Sequence, residues 1–195
     1  MVTGLLALLL ALAPMPATAM ELPPLESPAV LRGDFVQEKR IAGFQAPLRS
    51  QGRFLLLRGR GLLWETREPF PSTLVVTTAQ MYEIGPDGAR RPLPGTGEDR
   101  AGQVTGMLLA LLGGDLKSLQ DRFRTEQLPA GEHAWRLRLS PRDPVLGTAF
   151  GLLELAGDRH VREVRIERAD ETTLIRFTGL ETAAAPAAEE AARLE

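Results

Sequence analysis

Short apolar runs separated by glycine and proline dominate the first half of the chain and predict β-hairpins. Residues 53–57 read Arg-Phe-Leu-Leu-Leu and residues 62–66 read Leu-Leu-Trp-Glu-Thr, with the turn Arg-Gly-Arg-Gly between them. Two apolar runs around a glycine-containing turn are typical of a hairpin. A second hairpin is predicted from the β-branched run at 73–78 and from residues 81–84, which lead into a Gly-Pro-Asp-Gly turn.

The middle of the chain predicts two helices. The first covers about 101–112 and ends at a Gly-Gly pair, which is a common way to terminate a helix. The second is predicted to start at Asp115, a residue type that favours the N-cap. Its apolar residues recur at helical spacing, namely Leu116, Leu119 and Phe123.

Alternation with period two marks the last third of the chain. Residues 134–139 and 161–168 alternate apolar and charged side chains, and residues 173–177 do so less strictly. Turns are predicted at 156–158 and 169–171. Each strand then has one apolar face and one face of Arg and Glu that pair across strands, so the pattern predicts an antiparallel sheet with one side in water.

The first 19 residues are typical of an export signal. They hold an apolar run and then the triplet Ala17-Thr18-Ala19, which predicts cleavage after Ala19. The run is shorter than the about 18–20 apolar residues that a membrane-spanning helix needs. A proline-rich, extended lead-in follows at 21–28, with at most a short helix over 29–34.

Composition and charge exclude several classes of protein. The chain has 195 residues, of which 44% are hydrophobic and 25% charged, and it has no cysteine and a net charge of −2. These values fit one folded domain, predicted over 20–182, followed by an Ala/Glu-rich tail at 183–195 that we expect to be flexible or weakly helical. They exclude a disulfide scaffold, and the near-neutral charge and few aromatic residues disfavour nucleic-acid binding.

The sequence holds no recognisable catalytic motif. His133 and His160 both fall in predicted turns, without a second histidine at ligand spacing, and we expect both to be solvated. The glycines do not form a phosphate-binding loop, and the carboxylates are scattered among arginines. We therefore expect no enzyme, no metal and no cofactor.

Apolar residues in the first hairpin exceed what one sheet face needs. Four share one face (Phe54, Leu56, Leu62 and Trp64), and three lie on the other (Leu55, Leu57 and Leu63). Something must cover at least one of these faces. Two interpretations remain open, namely an ordinary solid core and a cavity that accepts a lipid.

Arg58 stands at the tip of this hairpin with the parity of the apolar face. A guanidinium directed toward apolar surroundings must be hydrogen-bonded, because it cannot lose its charge. Backbone carbonyls at a helix end would satisfy it and would make Arg58 a latch between sheet and helices. The alternative is a solvent-facing turn residue beside Arg60.

Several segments together resemble the LolA family of periplasmic lipoprotein carriers. The resemblance rests on the exported leader, on Phe-Val-Gln-Glu-Lys at 35–39, on Ser-Gln-Gly-Arg-Phe at 50–54, and on Arg58 followed by Leu-Leu-Trp at 62–64. It continues in Ser-Thr-Leu-Val-Val at 72–76 and in Met-Tyr at 81–82. The chain departs from the usual carrier in its proline-rich start, in Gly59 where a proline is usual, and in its Ala/Glu tail.

The resemblance implies an α+β, mostly β fold, an incomplete, half-open antiparallel barrel with a helical lid over a hydrophobic cavity. It implies a monomeric periplasmic carrier that takes a lipoprotein or other lipid from an inner-membrane transporter to an outer-membrane receptor. Arg58 matches the arginine that holds the lid shut. The implied cavity lining comprises Phe54, Leu56, Leu62, Trp64, Leu74, Val76, Leu108, Leu111 and Leu112. The alternatives are an envelope sensor or structural module of the same fold and, less favoured, a lipid-modifying enzyme.

Overall fold

The chain folds around one large antiparallel sheet. The computed structural model describes residues 25–77, 80–92, 107 and 109–194, which form a sheet of 11 strands. The strands are β1 (Val30–Ile41), β2 (Leu48–Leu57), β3 (Gly61–Glu68), β4 (Ser72–Thr77), β5 (Met81–Ile84), β6 (Arg90–Pro92), β7 (Phe123–Leu128), β8 (Trp135–Pro141), β9 (Leu152–Gly157), β10 (Val161–Arg168) and β11 (Glu171–Ala183).

The strand order is that of two meanders joined by the first and last strands. It runs β6-β5-β4-β3-β2-β1-β11-β10-β9-β8-β7, and every neighbouring pair is antiparallel. Strands β6 and β7 end the sheet, so it does not close into a complete barrel. The mostly β, antiparallel and incomplete fold predicted from the sequence is confirmed.

Four short helical segments accompany the sheet in the described residues. Residues 107 and 109–112 are helical and are called α1, and the others are α2 (Lys117–Gln120), α3 (Pro144–Phe150) and α4 (Ala188–Ala192). The chain leaves α1 through Gly114, whose φ of 76° favours glycine. A side chain there would also strike the carbonyl oxygen of Glu26, 2.6 Å from the ideal Cβ position. The predicted Gly-Gly stop is therefore confirmed.

Both predicted hairpins of the first half form. β2 and β3 pair directly across the turn at 58–60, and β4 pairs with β5, the two strands that hold the runs of the second hairpin. β5 then leads through the turn at 85–89 into β6, with which it also pairs. The alternating segments of the last third become β8, β10 and β11 as predicted. At these places the hydrophobic pattern and the turn residues both indicate the same strands, so the sequence alone predicts them.

Two predicted helices are wrong in place or extent. Residues 29–34 are not a helix, because β1 starts at Val30 and pairs with both β2 and β11. The second central helix ends at Gln120, and Phe123 begins β7 instead of continuing it. The chain turns at 121–122, and Phe123 is buried as the first residue of a strand. The helical spacing of Leu116, Leu119 and Phe123 therefore reflects burial of all three residues in the core and not one continuous helix.

The two faces of the sheet carry two separate apolar clusters. We call the larger one the inner cluster. It takes residues from strands of both meanders and from α1, α2 and α3. The smaller one, the outer cluster, lies behind β1–β4 and consists of Val30, Leu55, Leu57, Leu63, Val75 and Leu194. Both faces of the first hairpin are therefore covered, as its excess of apolar residues required.

The outer face of the second meander is charged. Arg138 of β8 pairs with Glu154 of β9 at 2.7 Å, and Arg176 of β11 pairs with Glu163 of β10 at 3.2 Å. Each pair joins residues that face one another in register. The cross-strand ion pairs expected from the alternating Arg and Glu are confirmed, and they leave this face in water.

The C-terminal segment packs on the outer face. β11 continues to Ala183, and α4 follows where the sequence suggested a flexible or weakly helical tail. Leu194 is 9% exposed within the outer cluster. Glu190 pairs with Arg32 at 3.0 Å, and Arg193 lies 3.5 Å from Glu65. One apolar contact and two ion pairs thus hold the tail against the sheet.

Candidate functional site

The predicted lining residues gather on the inner face. Buried members of the inner cluster are Phe54, Leu56, Leu62, Val76, Leu111 and Leu112, while Trp64 and Leu74 pack against it half-buried. Leu108 lies outside the described residues. The alternation of β2, β3 and β4 places these side chains on one face, and α1 brings its leucines to the same place.

Four aromatic rings form a patch within the inner cluster. Phe35 and Trp64 are stacked with centroids 3.8 Å apart, and Phe54 meets Phe177 edge to face at 5.3 Å. Trp64 also meets Phe177 edge to face at 6.0 Å. The rings come from β3, β2, β1 and β11, so they span the junction of the two meanders. Of the four, sequence reasoning assigned only Phe54 and Trp64 to the site.

The helical segments contribute the opposite side of the inner cluster. α1 gives Met107, Leu111 and Leu112, and α2 with the residue before it gives Leu116 and Leu119. Segment α3, which the sequence analysis missed, adds Leu146 and Phe150. A signal for α3 was present, because Asp143 precedes Pro144 and its carboxylate accepts the backbone N–H of Leu146 at 3.0 Å, as an N-cap does.

Arg58 lies in the exposed turn between β2 and β3 and is hydrogen-bonded to the chain N-terminal of β1. Its Nη1 donates to the backbone carbonyl of Ser27, and its backbone N–H donates to the carbonyl of Ala29 at 2.9 Å. The carbonyl that Arg58 holds thus belongs to an extended segment rather than to a helix. We call residues 25–29 the strap.

The strap is attached at its other end to the turn between β9 and β10. The backbone N–H of Glu26 donates to the carbonyl of Arg159 at 2.9 Å, and the Glu26 carboxylate lies 3.3 Å from the Arg159 guanidinium. Leu25 packs against the inner cluster. The strap therefore connects the hairpin tip of one meander with a hairpin tip of the other, next to the end of α1 at Gly114.

His160 corrects one expectation. The residue lies in a turn as predicted, but it is 7% exposed rather than solvated. Its Nε2 lies 3.6 Å from a carboxylate oxygen of Glu26 in the strap. The contact joins residues far apart in the chain, so no local pattern could predict it. His133, by contrast, is half-buried in the turn before β8.

Asp158 organises the turn beneath the strap. Its carboxylate accepts the backbone N–H of His160 at 3.0 Å and the Arg162 guanidinium at 3.0 Å. Partial burial favours the neutral carboxyl, but these hydrogen bonds and the Arg162 charge outweigh it and hold the pKa of Asp158 below its usual 3.8. The Asp158 carbonyl also accepts the indole N–H of Trp135.

The described residues hold neither a metal-binding cluster nor a membrane-spanning helix. Within the described part of the chain, His, Asp and Glu do not form a group of three that could hold a metal ion. Over the same ranges, no helix has the length and apolar character needed to cross a membrane. The side chains of the inner cluster themselves are apolar.

These features define a class, an incomplete antiparallel sheet with an apolar cluster on its inner face that includes residues of short helical segments. The family model described as "Outer membrane lipoprotein carrier protein LolA" matches residues 26–190. The chain belongs to the LolA family. The match begins in the strap and ends in α4, so it includes both chain segments that pack on the sheet.

Three individual relatives share at most a quarter of their aligned residues with this chain. The outer-membrane lipoprotein carrier protein of Methylococcus capsulatus is 25% identical over 158 residues, which are 81% of this chain and 74% of that protein. A LolA superfamily protein from Nitrosomonas europaea is 8% identical, with a TM-score of 0.45 over 84% of this chain and 90% of that one. The Pseudomonas aeruginosa MucA/MucB complex gives 16% identity and a TM-score of 0.46 over 83% of this chain and 54% of that one.

Proposed function

We propose that the chain is a monomeric periplasmic carrier that holds the acyl chains of a lipoprotein or another lipid and ferries them from the inner to the outer membrane. One observation carries the proposal: every described residue of the predicted lining belongs to, or packs against, one apolar cluster on one face of an open sheet. Membership of the LolA family supports it.

The edge of the inner cluster supplies a place for an acyl chain to enter. Trp64, Leu74 and Leu109 are half-buried, as are Ile166 and Ile175 on the other meander. Partly exposed apolar side chains next to a buried cluster give a lipid tail its first contacts without an unpaired polar group to desolvate. A tail that slides between sheet and helices would then extend these contacts.

Release requires an opposing force. Burying an acyl chain is worth about 0.8 kcal/mol per methylene, so a long chain would bind too tightly to leave a permanently open site. A closed state that competes with the lipid lowers the net affinity. The bond from Arg58 to the strap stabilises such a closed state, and its loss on loading would make Arg58 the latch between the sheet and the strap.

The partners follow from the same function. A donor in the inner membrane, in the form of a transporter, would hand over the lipid, and a receptor at the outer membrane would accept it. The proposed role is that of a carrier and not of an enzyme, since lipid contact on the inner face needs no titrating group.

A second candidate, an envelope sensor or structural module with a solid core, is favoured by the depth of burial. Leu62, Val76 and Leu153 of the inner cluster are exposed by 1% or less. Side chains this well packed also suit a face that never opens. The two candidates differ in one respect that can be measured, which is whether a lipid accompanies the protein.

The test is mass spectrometry of organic extracts from protein purified out of its native periplasm. We compare the wild type with Arg58→Leu, and with Arg60→Leu as a matched control in the same turn. A stoichiometric lipid or lipoprotein that is enriched in Arg58→Leu and not in Arg60→Leu supports the carrier with its latch. Empty extracts from all three proteins reject the carrier in favour of the solid-core module.

A further inference from the structure

The two ends of the sheet differ in character. One end holds the strap, the turn at 58–60 and the turn at 158–160, and is tied together by the hydrogen bonds described above. The antiparallel order places the β1–β2 loop (42–47), the β3–β4 turn (69–71) and the β10–β11 turn (169–170) at the opposite end. We call this opposite end the free end.

Exposed apolar side chains are concentrated at the free end. In the described part of the chain, the exposed large hydrophobic residues are Phe44 at 64%, Leu48 at 52% and Phe70 at 81%. Phe44 lies in the β1–β2 loop, Leu48 begins β2, and Phe70 lies in the β3–β4 turn. Exposed apolar groups are ordinary when scattered, but neighbouring loops that share them mark a contact surface.

The register shows that these side chains project to a similar height. Gln51 of β2 pairs with Glu68 of β3. Leu48 lies before Gln51 and Phe70 after Glu68, so at about 3.3 Å per residue both extend roughly 7–10 Å beyond that pair. Phe44 lies in the loop that connects β1 to β2, where its backbone N–H donates to the carbonyl of Ile41 at 3.1 Å.

Positive charge flanks the β1–β2 loop of this apolar tip, while the exposed acidic residues Glu68 and Asp170 lie at the neighbouring turns of the same end. Residues 39–49 contain Lys39, Arg40 and Arg49 and no acidic residue. Lys39 pairs with Glu171 at 2.6 Å, whereas Arg40 and Arg49 are exposed and form no ion pair or side-chain hydrogen bond with any described residue. Glu38 faces Arg49 in register, yet the two do not form an ion pair.

We propose that the free end docks on an anionic lipid surface, with Phe44, Leu48 and Phe70 entering the headgroup region and Arg40 and Arg49 contacting lipid phosphates. Separate apolar tips on convex loops fit a bilayer, which deforms around each of them, whereas a protein partner would have to offer a matching pocket for each one. Unpaired arginines beside such tips match the charge of an anionic leaflet. The surface does not depend on the inner cluster being loaded.

The test is co-sedimentation of the periplasmic protein with vesicles of phosphatidylethanolamine and phosphatidylglycerol, and with vesicles of phosphatidylcholine alone. The variant is Phe44→Ser combined with Leu48→Ser and Phe70→Ser, and the matched control is Ala42→Ser combined with Ala46→Ser in the β1–β2 loop. We expect the first variant to lose about tenfold in partitioning to anionic vesicles while the control binds like the wild type. Added salt should weaken wild-type binding severalfold.

A second measurement guards against a folding defect in the combined variant. Phe70→Trp keeps an apolar ring at the tip, and its added fluorescence should shift to the blue when anionic vesicles are present. Equal binding of wild type and combined variant, an absence of wild-type binding to anionic vesicles, or an unshifted emission of Phe70→Trp would each overturn the proposal. Since no cargo is needed, empty lipid extracts would leave this test unaffected.

Discussion

The ring of Phe35 on β1 stacks on that of Trp64 on β3, although β2 lies between the two strands. The β2 residue opposite Phe35 is Gly52, and the β3 residue opposite Gly52 is Thr66, two positions from Trp64. Cross-strand partners share a face, so all of these lie on the inner side. Gly52 lies between the strands that carry the two rings, and an ideal Cβ there would meet the β3 backbone at Glu65 and Thr66. The missing side chain therefore lets β2 and β3 approach each other closely at this place.

Gly52→Ala should therefore destabilise the fold. An ideal Cβ at this position would lie 1.8 Å from the carbonyl oxygen of Glu65, so the backbones of β2 and β3 must separate locally. We expect a loss of about 2–3 kcal/mol in the free energy of unfolding, or roughly 5–10 °C in Tm. Thermal unfolding followed by circular dichroism measures it.

The matched control is Gly147→Ala in α3, where an added Cβ has no atom within 4 Å. It should leave Tm unchanged or raise it slightly, because alanine favours a helix over glycine. Equal Tm values for Gly52→Ala and wild type would show that the close approach of β2 and β3 is not a constraint.

Arg58→Leu should loosen the strap while leaving the sheet intact. The variant removes a charge-assisted hydrogen bond to Ser27, while the backbone bond from position 58 to Ala29 and the attachment at Glu26 remain. We expect amide hydrogen exchange at Glu26, whose N–H is bonded to the Arg159 carbonyl, to accelerate by about tenfold or more, with β2 and β3 unaffected. Arg60→Leu, in the same turn, should exchange like the wild type, and slow exchange of the strap in Arg58→Leu would argue against its role as a clamp.

Leu194→Ala should detach the tail from the outer cluster. Leu194 contacts the region of Gly61, with its Cδ2 3.2 Å from the ideal Cβ position of that glycine. We expect a loss of about 2 kcal/mol, at the low end for a buried leucine because the site lies at the chain terminus. Chemical denaturation measures the loss, and Ala188→Ser on exposed α4 surface serves as the control with no expected change.

The attachment of the tail should also weaken in acid. Burial raises the pKa of Glu65, but its hydrogen bonds and charge contacts with Arg67 and Arg193 outweigh burial and hold that pKa below its usual 4.5. A carboxyl with a lowered folded-state pKa contributes stability above its unfolded pKa and loses it as pH falls through the folded value. The contribution of Glu65 is thus present at neutral pH and lost below about pH 4.5.

The predicted loss of stability in acid is tested by measuring the free energy of unfolding of the wild type and of Glu65→Gln as a function of pH. The difference between them should be largest at neutral pH and should narrow as the medium becomes acidic. Glu132→Gln, at an exposed turn position, should follow the wild type throughout. A gap that widens in acid would contradict the assignment.

Local signals explain which elements were predictable. Apolar runs on either side of glycine-containing turns predicted the hairpins around residues 58–60 and 85–89. Alternation of apolar and charged residues predicted β8 and β10. The start of β1 was not predicted, because Gly33 interrupts its pattern at the place where the pairing with β11 shifts register, between Arg32 and Asp34. A bulge of this kind breaks the period-two pattern on which a strand prediction depends.

The site was predictable to the extent that it depends on strand parity. Phe54, Leu56 and Trp64 could be placed on one face from their alternation alone. The strap contacts of Arg58 and His160 could not, because they join segments that only the folded sheet brings together. Long-range backbone hydrogen bonds leave no periodic trace in a sequence.

The two edge strands of the sheet, β6 and β7, affect how the molecule meets other copies of itself at high concentration. A sheet that stops at β6 and β7 offers unpaired backbone groups to any neighbouring copy, and such edges invite strand-by-strand polymerisation. β6 is only three residues long, and it sets Arg90 and Arg91 beside Pro92, which lacks an N–H to donate. Like charges repel and proline blocks a hydrogen-bond ladder, so this border discourages the addition of a strand from a second copy.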